Sequence, residues 1–194
     1  MRAPLLLACL SLGCASVSRP GPGPGAPASP ARGPSSPGPG ETVAGLDLGG
    51  DGKPDAWIFS RAGPEGRPIV TRREKDLNGD GRVDSWERLA PDGTLAELSY
   101  DMDFDGTPDA TLHLEGDRLV RKEYTFGPGR PGAVRSWYEG GVLVRTERDT
   151  DGDGKVDTWE RWTGGRVDRI GSDLDGDGAP DRWEERGPDG APGR

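Results

Sequence analysis

The chain has 194 residues, with 33 glycines, 19 prolines and only 31% hydrophobic residues, so we expect a small ordered part that needs extra stabilisation. The net charge is −9 and the lysines and arginines form no basic run, which argues against nucleic acid as a partner. Both cysteines, Cys9 and Cys14, lie in the first fourteen residues, so no disulfide framework supports the rest of the chain.

The first segment, MRAPLLLACLSLGC, has a basic residue, a short apolar run and a small residue before a cysteine. This layout is typical of a signal peptide and is too short for a membrane-spanning helix. It resembles a bacterial lipoprotein signal over residues 1–13, which implies lipid attachment at Cys14, or alternatively at Cys9. A plain secretory signal with incidental cysteines is the other interpretation. The resemblance implies a membrane-anchored lipoprotein of the outer membrane or cell surface.

The next segment is rich in proline and glycine. Residues 20–40 hold eight prolines and six glycines in twenty-one positions, and nothing there can bury apolar area. We therefore predict a disordered linker over residues 14–41. An anchor followed by such a linker would hold residues 42–194 away from a membrane.

Residues 42–194 contain an internal repeat. Acidic twelve-residue stretches begin at Asp47, Asp76, Asp101, Asp149 and Asp173, as in DTDGDGKVDTWE at 149–160. A sixth stretch, Gly127–Tyr138, lacks the acids but keeps a glycine and a tryptophan in the same register. The sequence therefore predicts six units, each burying its apolar face against its neighbours.

The acidic stretches have the oxygen pattern that Ca2+ requires. A calcium loop takes six to eight oxygens from positions 1, 3, 5, 7, 9 and 12, and glycine at position 6 permits the sharp turn. Of the chain's 34 acidic residues, 21 fall at these positions. The predicted ligands, with position 7 contributing its carbonyl, are Asp149, Asp151, Asp153, Lys155, Asp157 and Glu160; Asp173, Asp175, Asp177, Ala179, Asp181 and Glu184; Asp76, Asn78, Asp80, Arg82, Asp84 and Glu87; Asp101, Asp103, Asp105, Thr107 and Asp109; and Asp47, Asp51, Lys53 and Asp55.

These loops differ in how complete they are. The loops at 149 and 173 have every ligand, and the loop at 76 has asparagine at position 3. The loop at 101 has Leu112 at position 12, and the loop at 47 lacks ligands at both positions 3 and 12. We predict up to five Ca2+ sites, the weakest at 47, and none in Gly127–Tyr138.

The loops resemble those of EF-hands, which implies a flanking helix on each side. The sequence departs from that pattern because prolines occupy position 8 in three loops and the loop exits are too short for a helix. Segments such as WYEGGVLVRTER instead predict hairpins. Residues 47–185 resemble the broad group of extracellular DxDxDG calcium-repeat proteins, which includes thrombospondin type 3 repeats, dockerins and integrin-type propeller loops. We predict a mainly β fold of six units of roughly 24 residues, each a calcium loop followed by a β-hairpin, with the last unit lacking its second strand.

Tryptophan recurs at position 11 in five of the six units, which predicts packing rather than a stacking platform. Trp162 lies off this register, as a candidate for a binding patch or for an extra hairpin contact. His113, the only histidine, lies in a predicted strand without partners for a transition-metal site. The chain has no nucleophile elbow and no glycine-rich phosphate loop, so we expect neither an enzyme nor a nucleotide-binding protein.

Two functions fit these features. The first is a calcium-binding cell-surface lipoprotein with a structural or adhesive role, in which Ca2+ stabilises the array. The second is a binding module, shaped by Ca2+, for an extracellular polysaccharide or partner protein. An acidic chain that stays disordered and binds calcium loosely is the alternative to both.

Overall fold

The computed structural model describes residues 33–125 and 132–187. These residues form one sheet of twelve antiparallel strands in which every strand pairs with its neighbours in the sequence. The prediction of a mainly β chain is confirmed, and the described residues contain one helical segment, the 3-10 turn Pro64–Gly66. The strands are β1 Glu41–Leu46, β2 Ala56–Ala62, β3 Pro68–Lys75, β4 Ser85–Leu89, β5 Leu95–Tyr100, β6 Ala110–Glu115, β7 Arg118–Thr125, β8 Ala133–Glu139, β9 Val142–Asp149, β10 Thr158–Thr163, β11 Arg166–Ser172 and β12 Arg182–Glu185.

Two kinds of connection alternate along the chain, which places all connections of one kind at the same edge of the sheet. Short turns join β6 to β7, β8 to β9 and β10 to β11. The turn Gly140–Gly141 has positive φ at both residues, as a two-residue hairpin turn requires. The acidic loops join β1 to β2, β3 to β4, β5 to β6, β9 to β10 and β11 to β12. We name the two sides the hairpin edge and the loop edge.

The repeat aligns equivalent residues across the sheet. Four tryptophans lie in one row across the sheet: Trp57, Trp86, Trp159 and Trp183. The strand pairings connect them through one residue of each intervening strand, namely Glu74, Ser99, Thr111, Glu123, Arg135, Glu147 and Gly171. Residues directly opposite one another share a face of the sheet, and successive residues along a strand alternate between faces. We name the face that carries these four residues the tryptophan face.

The sixth, degenerate unit has a different register from the one predicted. Arg135, not Trp137, occupies the tryptophan row, since it pairs with Glu123 on one side and Glu147 on the other. The unit therefore begins at Thr125 rather than at Gly127. The predicted alignment of this unit was wrong by two residues. It relied on a shared glycine and tryptophan, whereas backbone pairing between strands sets the register in the sheet. Residues 126–131 of this loop lie outside the described residues.

The end of the predicted linker packs on the sheet. The backbone N–H of Ser35 donates to the Glu74 carboxylate at 2.8 Å, and the Ser35 hydroxyl donates to the same carboxylate. Arg72 also binds Glu74 and the carbonyl of Ser36. Residues 33–40, the C-terminal part of the predicted linker, therefore lie on the sheet, and Glu41 begins β1. We name residues 33–40 the strap.

The core of the described residues lies where the strap packs on the sheet. Trp57, Phe59 and Val83 are buried there, with Trp86 partly buried against them. Glu74 is also buried, at 2% exposed, with its charge balanced by Arg72. Strands β2 to β4 thus have a small two-layered core that includes part of the presumed linker.

The tryptophan-packing prediction holds only in this N-terminal part. Trp137, Trp159 and Trp183 are half-buried, because no second layer of described residues covers the tryptophan face beyond the strap. The guanidinium of Arg145 lies 3.8 Å from the ring centroid of Trp137, and that of Arg169 lies 4.5 Å from Trp183. In the C-terminal strands, cation–π stacking therefore supplies part of the ring cover that a core would supply elsewhere.

The sheet ends at β12, which pairs only with β11 among the described residues. Residues 188–194 lie outside the described residues, as do the predicted signal peptide and both candidate lipid-attachment sites, Cys9 and Cys14. The described residues contain no helix that is both long and apolar enough to cross a membrane.

Candidate metal-binding loops

The five acidic loops share one backbone arrangement, organised by the aspartate at position 9. In the loop at 76, the backbone N–H groups of Leu77 and Asn78 donate to the same oxygen of Asp84, at 2.8 and 3.2 Å. The same pair of hydrogen bonds, from positions 2 and 3, recurs in the other four loops. Position 9 therefore closes each loop onto its own beginning.

The aspartate at position 1 accepts hydrogen bonds from the far side of the loop. In the loop at 173, the N–H groups of Gly176 and Gly178 donate to the two oxygens of Asp173, at 2.8 and 2.7 Å. Both glycines have positive φ, at 76° and 89°, so a residue with a side chain would be strained at these two positions. The glycines at positions 4 and 6 thus allow the backbone to wrap around the first carboxylate.

Positions 3 and 5 continue the wrapping with short-range turns. In the loop at 149, Asp151 accepts from the N–H of Asp153 at 3.0 Å, and Asp153 accepts from the N–H of Lys155 at 2.8 Å. These are Asx turns, in which a carboxylate binds the backbone two residues on. The alternating aspartates therefore shape the loop before any cation is considered.

This wrapping brings carboxylates from positions 1, 3 and 9 together. In three loops an oxygen of each of these aspartates lies within 4.8 Å of the other two. The three groups are Asp101, Asp103 and Asp109; Asp149, Asp151 and Asp157; and Asp173, Asp175 and Asp181. We name them the aspartate triads.

The other two loops have the same backbone but an incomplete triad. Asn78 occupies position 3 at 76, where its side-chain oxygen accepts the N–H of Asp80 at 2.8 Å. Gly49 occupies position 3 at 47 and supplies no side-chain oxygen. The loop at 47 still forms, since Gly50 and Gly52 donate to Asp47. The carboxylate ligands expected at 47 thus come from Asp47 and Asp55, with Asp51 holding the backbone of Lys53.

The glutamates predicted at position 12 do not join the loops. Glu87 binds Arg73 at 3.0 Å and Lys75 at 2.6 Å, both on the adjacent strand β3. Position 12 follows the tryptophan directly, so its side chain points to the opposite face from positions 9 and 11. Glu160 and Glu184 likewise pair with arginines, Arg148 at 3.4 Å and Arg182 at 2.7 Å. The EF-hand letter pattern predicted these ligands, but a strand after the loop turns them away.

Position 5 contributes to loop shape rather than to the triads. Asp105, Asp153 and Asp177 each accept the N–H of position 7 through Oδ1. The position-7 residues Lys53, Arg82, Thr107, Lys155 and Ala179 therefore have their N–H groups bound within the loop. Lys155 also reaches beyond it, since its ammonium binds the carbonyl of Gly176 in the next loop.

The surroundings of the loop carboxyls shift their pKa values in both directions. Burial raises the pKa of the Asp84 carboxyl, and the charges of Asp76 and Asp80 raise this pKa further. Donated backbone N–H groups act in the opposite direction elsewhere. The N–H of Gly52 lowers the pKa of Asp47, and that of Gly178 lowers the pKa of Asp173. A divalent cation would offset the repulsion that gathering these carboxylates creates.

Neighbouring loops form a continuous row along the loop edge. Asp76 donates its N–H to the carbonyl of Asp55, and Asp101 donates to Asp84 in the same way. The row continues through Asp173 and Asp157 in the C-terminal part. At the degenerate unit, Thr125 and Ala133 stand where the other units have aspartates, so the row of aspartates is interrupted there. The sequence showed the aspartate spacing, but it could not show that position 9 of one loop lies beside position 1 of the next.

His113 lies on the tryptophan face between two carboxylates. Its Nδ1 is 3.2 Å from Glu97, its Nε2 is 3.5 Å from Glu123, and Arg121 lies 2.9 Å from Nε2. The histidine is half-buried in this cross-strand cluster. Trp162 is also half-buried, and its indole N–H is enclosed without a partner among the described residues.

Comparison with known proteins gives no family for this chain. No protein-family model matches it, and no curated protein matches it either.

Proposed function

We propose that this protein is a calcium-binding, membrane-anchored lipoprotein of the cell surface, in which up to five Ca2+ ions stabilise the repeat array for a structural or adhesive role. The observation that carries the proposal is the aspartate triad, which the same backbone arrangement forms in three loops. The predicted lipoprotein signal with Cys14, or Cys9, supports the anchor.

The donor chemistry favours calcium over other metals. The triads consist only of carboxylate oxygens, which hard cations prefer, and they contain no histidine or cysteine for a transition metal. Three carboxylates leave room in a shell of six to eight oxygens for backbone carbonyls and water. The smaller Mg2+ demands octahedral geometry and gives up its water reluctantly, so an irregular loop suits Ca2+ better.

Calcium would stabilise this fold by joining strand ends. Position 1 follows one strand and position 9 precedes the next, so one cation held by both would connect the two strands at the loop edge. Among the described residues the core is small and lies under the strap, and both cysteines fall in the first fourteen residues, so no disulfide can form in the rest of the chain. Metal binding of this kind is coupled to folding, because the unfolded chain does not gather the ligands.

The alternative, a binding module for a polysaccharide or partner protein, has less support. Sugars stack on open aromatic faces, but Arg145 covers a ring face of Trp137 and Arg169 covers one of Trp183. Trp57 is buried beneath the strap region.

Thermal unfolding of the full chain tests the proposal directly. The melting temperature would be measured by circular dichroism with chelator, with millimolar Ca2+ and with millimolar Mg2+. A ligand at one hundred times its Kd stabilises by about 2.7 kcal/mol per site. We expect a clear rise with Ca2+ and a smaller one with Mg2+. Equal melting temperatures in chelator and Ca2+ would contradict the proposal.

A further inference from the structure

The loop edge carries exposed apolar side chains that neither the sheet nor the metal sites explain. Position 2 is aliphatic in four of the five acidic loops, and these side chains are 56–70% exposed. They are Leu48, Leu77, Met102 and Leu174. Single exposed hydrophobic residues are ordinary, but four equivalent ones along one edge form a pattern that needs a cause.

The backbone gives these four side chains the same placement. Each position-2 residue donates its N–H to the aspartate at position 9, at 2.6–2.8 Å. The side chain itself takes no part in this bond. The loop therefore uses only the backbone at position 2, and a polar side chain would serve it equally well, as Thr150 does in the fifth loop.

Phe104 adds a second, independent observation. It occupies position 4 of the loop at 101 with φ of 62°, whereas Gly50, Gly79, Gly152 and Gly176 occupy this position in the other loops. A bulky residue in the left-handed region costs free energy that glycine does not. Phe104 is nevertheless 44% exposed and gains little from burial. An exposed, strained aromatic residue beside a candidate metal site points to a role outside the fold.

The chain also enters the described domain at this edge. The N–H of Gly33, the first described residue, donates to the carbonyl of Gly81 in the loop at 76, at 2.7 Å. The segment that precedes Gly33 carries the predicted lipid-attachment site. A lipid anchor there would connect to the described domain at the loop edge, so the linker would limit how far this edge can lie from the membrane without preventing contact between them.

We propose that the loop edge is a calcium-dependent docking surface for an anionic phospholipid membrane. This inference rests on the proposed calcium binding. Without metal, the acidic loops repel an anionic surface. With Ca2+ bound, the repulsion falls and lipid phosphate oxygens complete the coordination shell, while the position-2 side chains and Phe104 enter the headgroup boundary.

The test measures co-sedimentation with phosphatidylcholine vesicles with and without phosphatidylglycerol, across a calcium titration. The full chain carries Cys9→Ser and Cys14→Ser, so that no lipid can be attached. The test variant adds Leu48→Ser, Leu77→Ser, Met102→Ser and Leu174→Ser. The control adds Val142→Ser, which removes another exposed apolar side chain, 52% exposed, from the hairpin edge.

We expect the parent chain and the Val142→Ser control to bind phosphatidylglycerol vesicles only with Ca2+. The fourfold variant should lose at least tenfold in vesicle affinity while it binds as much Ca2+ in equilibrium dialysis. Equal vesicle binding by the fourfold variant would overturn the proposal. A calcium-dependent dimer in sedimentation velocity that the fourfold variant loses, without vesicle binding by the parent, would assign the edge to a second copy of the chain instead.

Phe104→Gly gives a separate readout. Because glycine relieves the left-handed strain, the melting temperature of this variant should be equal or higher, while its vesicle affinity falls severalfold. A purely structural role for Phe104 would lower the melting temperature and leave vesicle affinity unchanged. A parent chain that binds no calcium would refute the proposed function. Calcium binding without vesicle binding would refute only this inference.

Discussion

Glu41 illustrates how single charged residues support a thin sheet. Its carboxylate accepts the N–H of Gly38 at 2.9 Å and the hydroxyl of Thr71 at 2.7 Å, and it pairs with Arg72 at 3.2 Å. The Gly38 and Thr71 hydrogen bonds, with Arg72, lower its pKa from 4.5 to about 2. Glu41 thereby joins the strap to β1 and β3.

This lowered pKa predicts a pH dependence. The folded state stabilises the ionised carboxylate of Glu41. This stabilisation is therefore fully present above pH 4.5 and is lost as pH falls toward about 2. We expect Glu41→Gln to be less stable than the parent at pH 7 and nearly equal to it near pH 2. Urea unfolding at several pH values measures the difference, with exposed Glu139→Gln as the control. A difference that stays constant with pH would contradict this assignment.

Gly171 shows a packing constraint in the C-terminal part. A Cβ at this position would lie 3.0 Å from three ring atoms of Trp183 on the next strand. We expect Gly171→Ala to displace the indole and to destabilise the chain by about 1–3 kcal/mol. Urea unfolding and tryptophan fluorescence measure both effects. The double variant Gly171→Ala/Trp183→Leu should lose less free energy of unfolding than the two single variants lose together. Strictly additive losses would rule out this contact.

At the scale of the loop, the strand that follows decides which acids can bind metal. In the loop at 149, Asp157 precedes β10 and belongs to the triad, whereas Glu160 lies within β10 and pairs with Arg148. We expect Asp157→Asn to weaken the calcium site of this loop by at least tenfold. Glu160→Gln should leave that affinity within twofold and lower only the melting temperature. Isothermal titration calorimetry separates the two, and a large loss of affinity in Glu160→Gln would restore the EF-hand ligand set.

We expect the strap to make β2 to β4 the most stable strands of the described sheet. It covers β2 to β4, whereas the tryptophan face of β10 to β12 has no cover among the described residues. Amide hydrogen exchange reports such local differences in stability. We expect slower exchange in Trp57–Phe59 than in Arg182–Glu185. Ser35→Ala, which removes the hydroxyl bond to Glu74 and keeps the backbone bond, should reduce the contrast. Uniform exchange along the sheet would contradict this account.

At the scale of the whole molecule, the sequence predicted the repeat, the hairpins and the acidic loops, because these follow from local spacing. Glycine pairs between short apolar runs specify hairpins without reference to the rest of the chain. Cross-strand relations were harder to predict. Three features depend on which residues meet across strands: the register of the degenerate unit, the orientation of Glu87 away from its loop, and the docking of the strap. Nothing in a proline-rich composition indicated that Ser35 would bind Glu74.

The described sheet depends on polar contacts more than on a core. Few apolar side chains are buried among the described residues, whereas the carboxyl groups of four acidic residues are buried: Glu74, Asp84, Asp101 and Asp109. Buried carboxylates are costly unless they are paired with a cation or hydrogen-bonded. In this chain, hydrogen bonds from backbone N–H groups meet part of that requirement, and bound calcium would meet the rest.

The most direct test of the central claim is the number of Ca2+ ions bound per full chain in equilibrium dialysis. We expect at least three, one for each aspartate triad, with the loops at 76 and 47 filling at higher calcium. The triple variant Asp109→Asn/Asp157→Asn/Asp181→Asn should lose the three stronger sites. An unchanged count in this variant, or a parent chain that binds no calcium at millimolar concentration, would contradict the account.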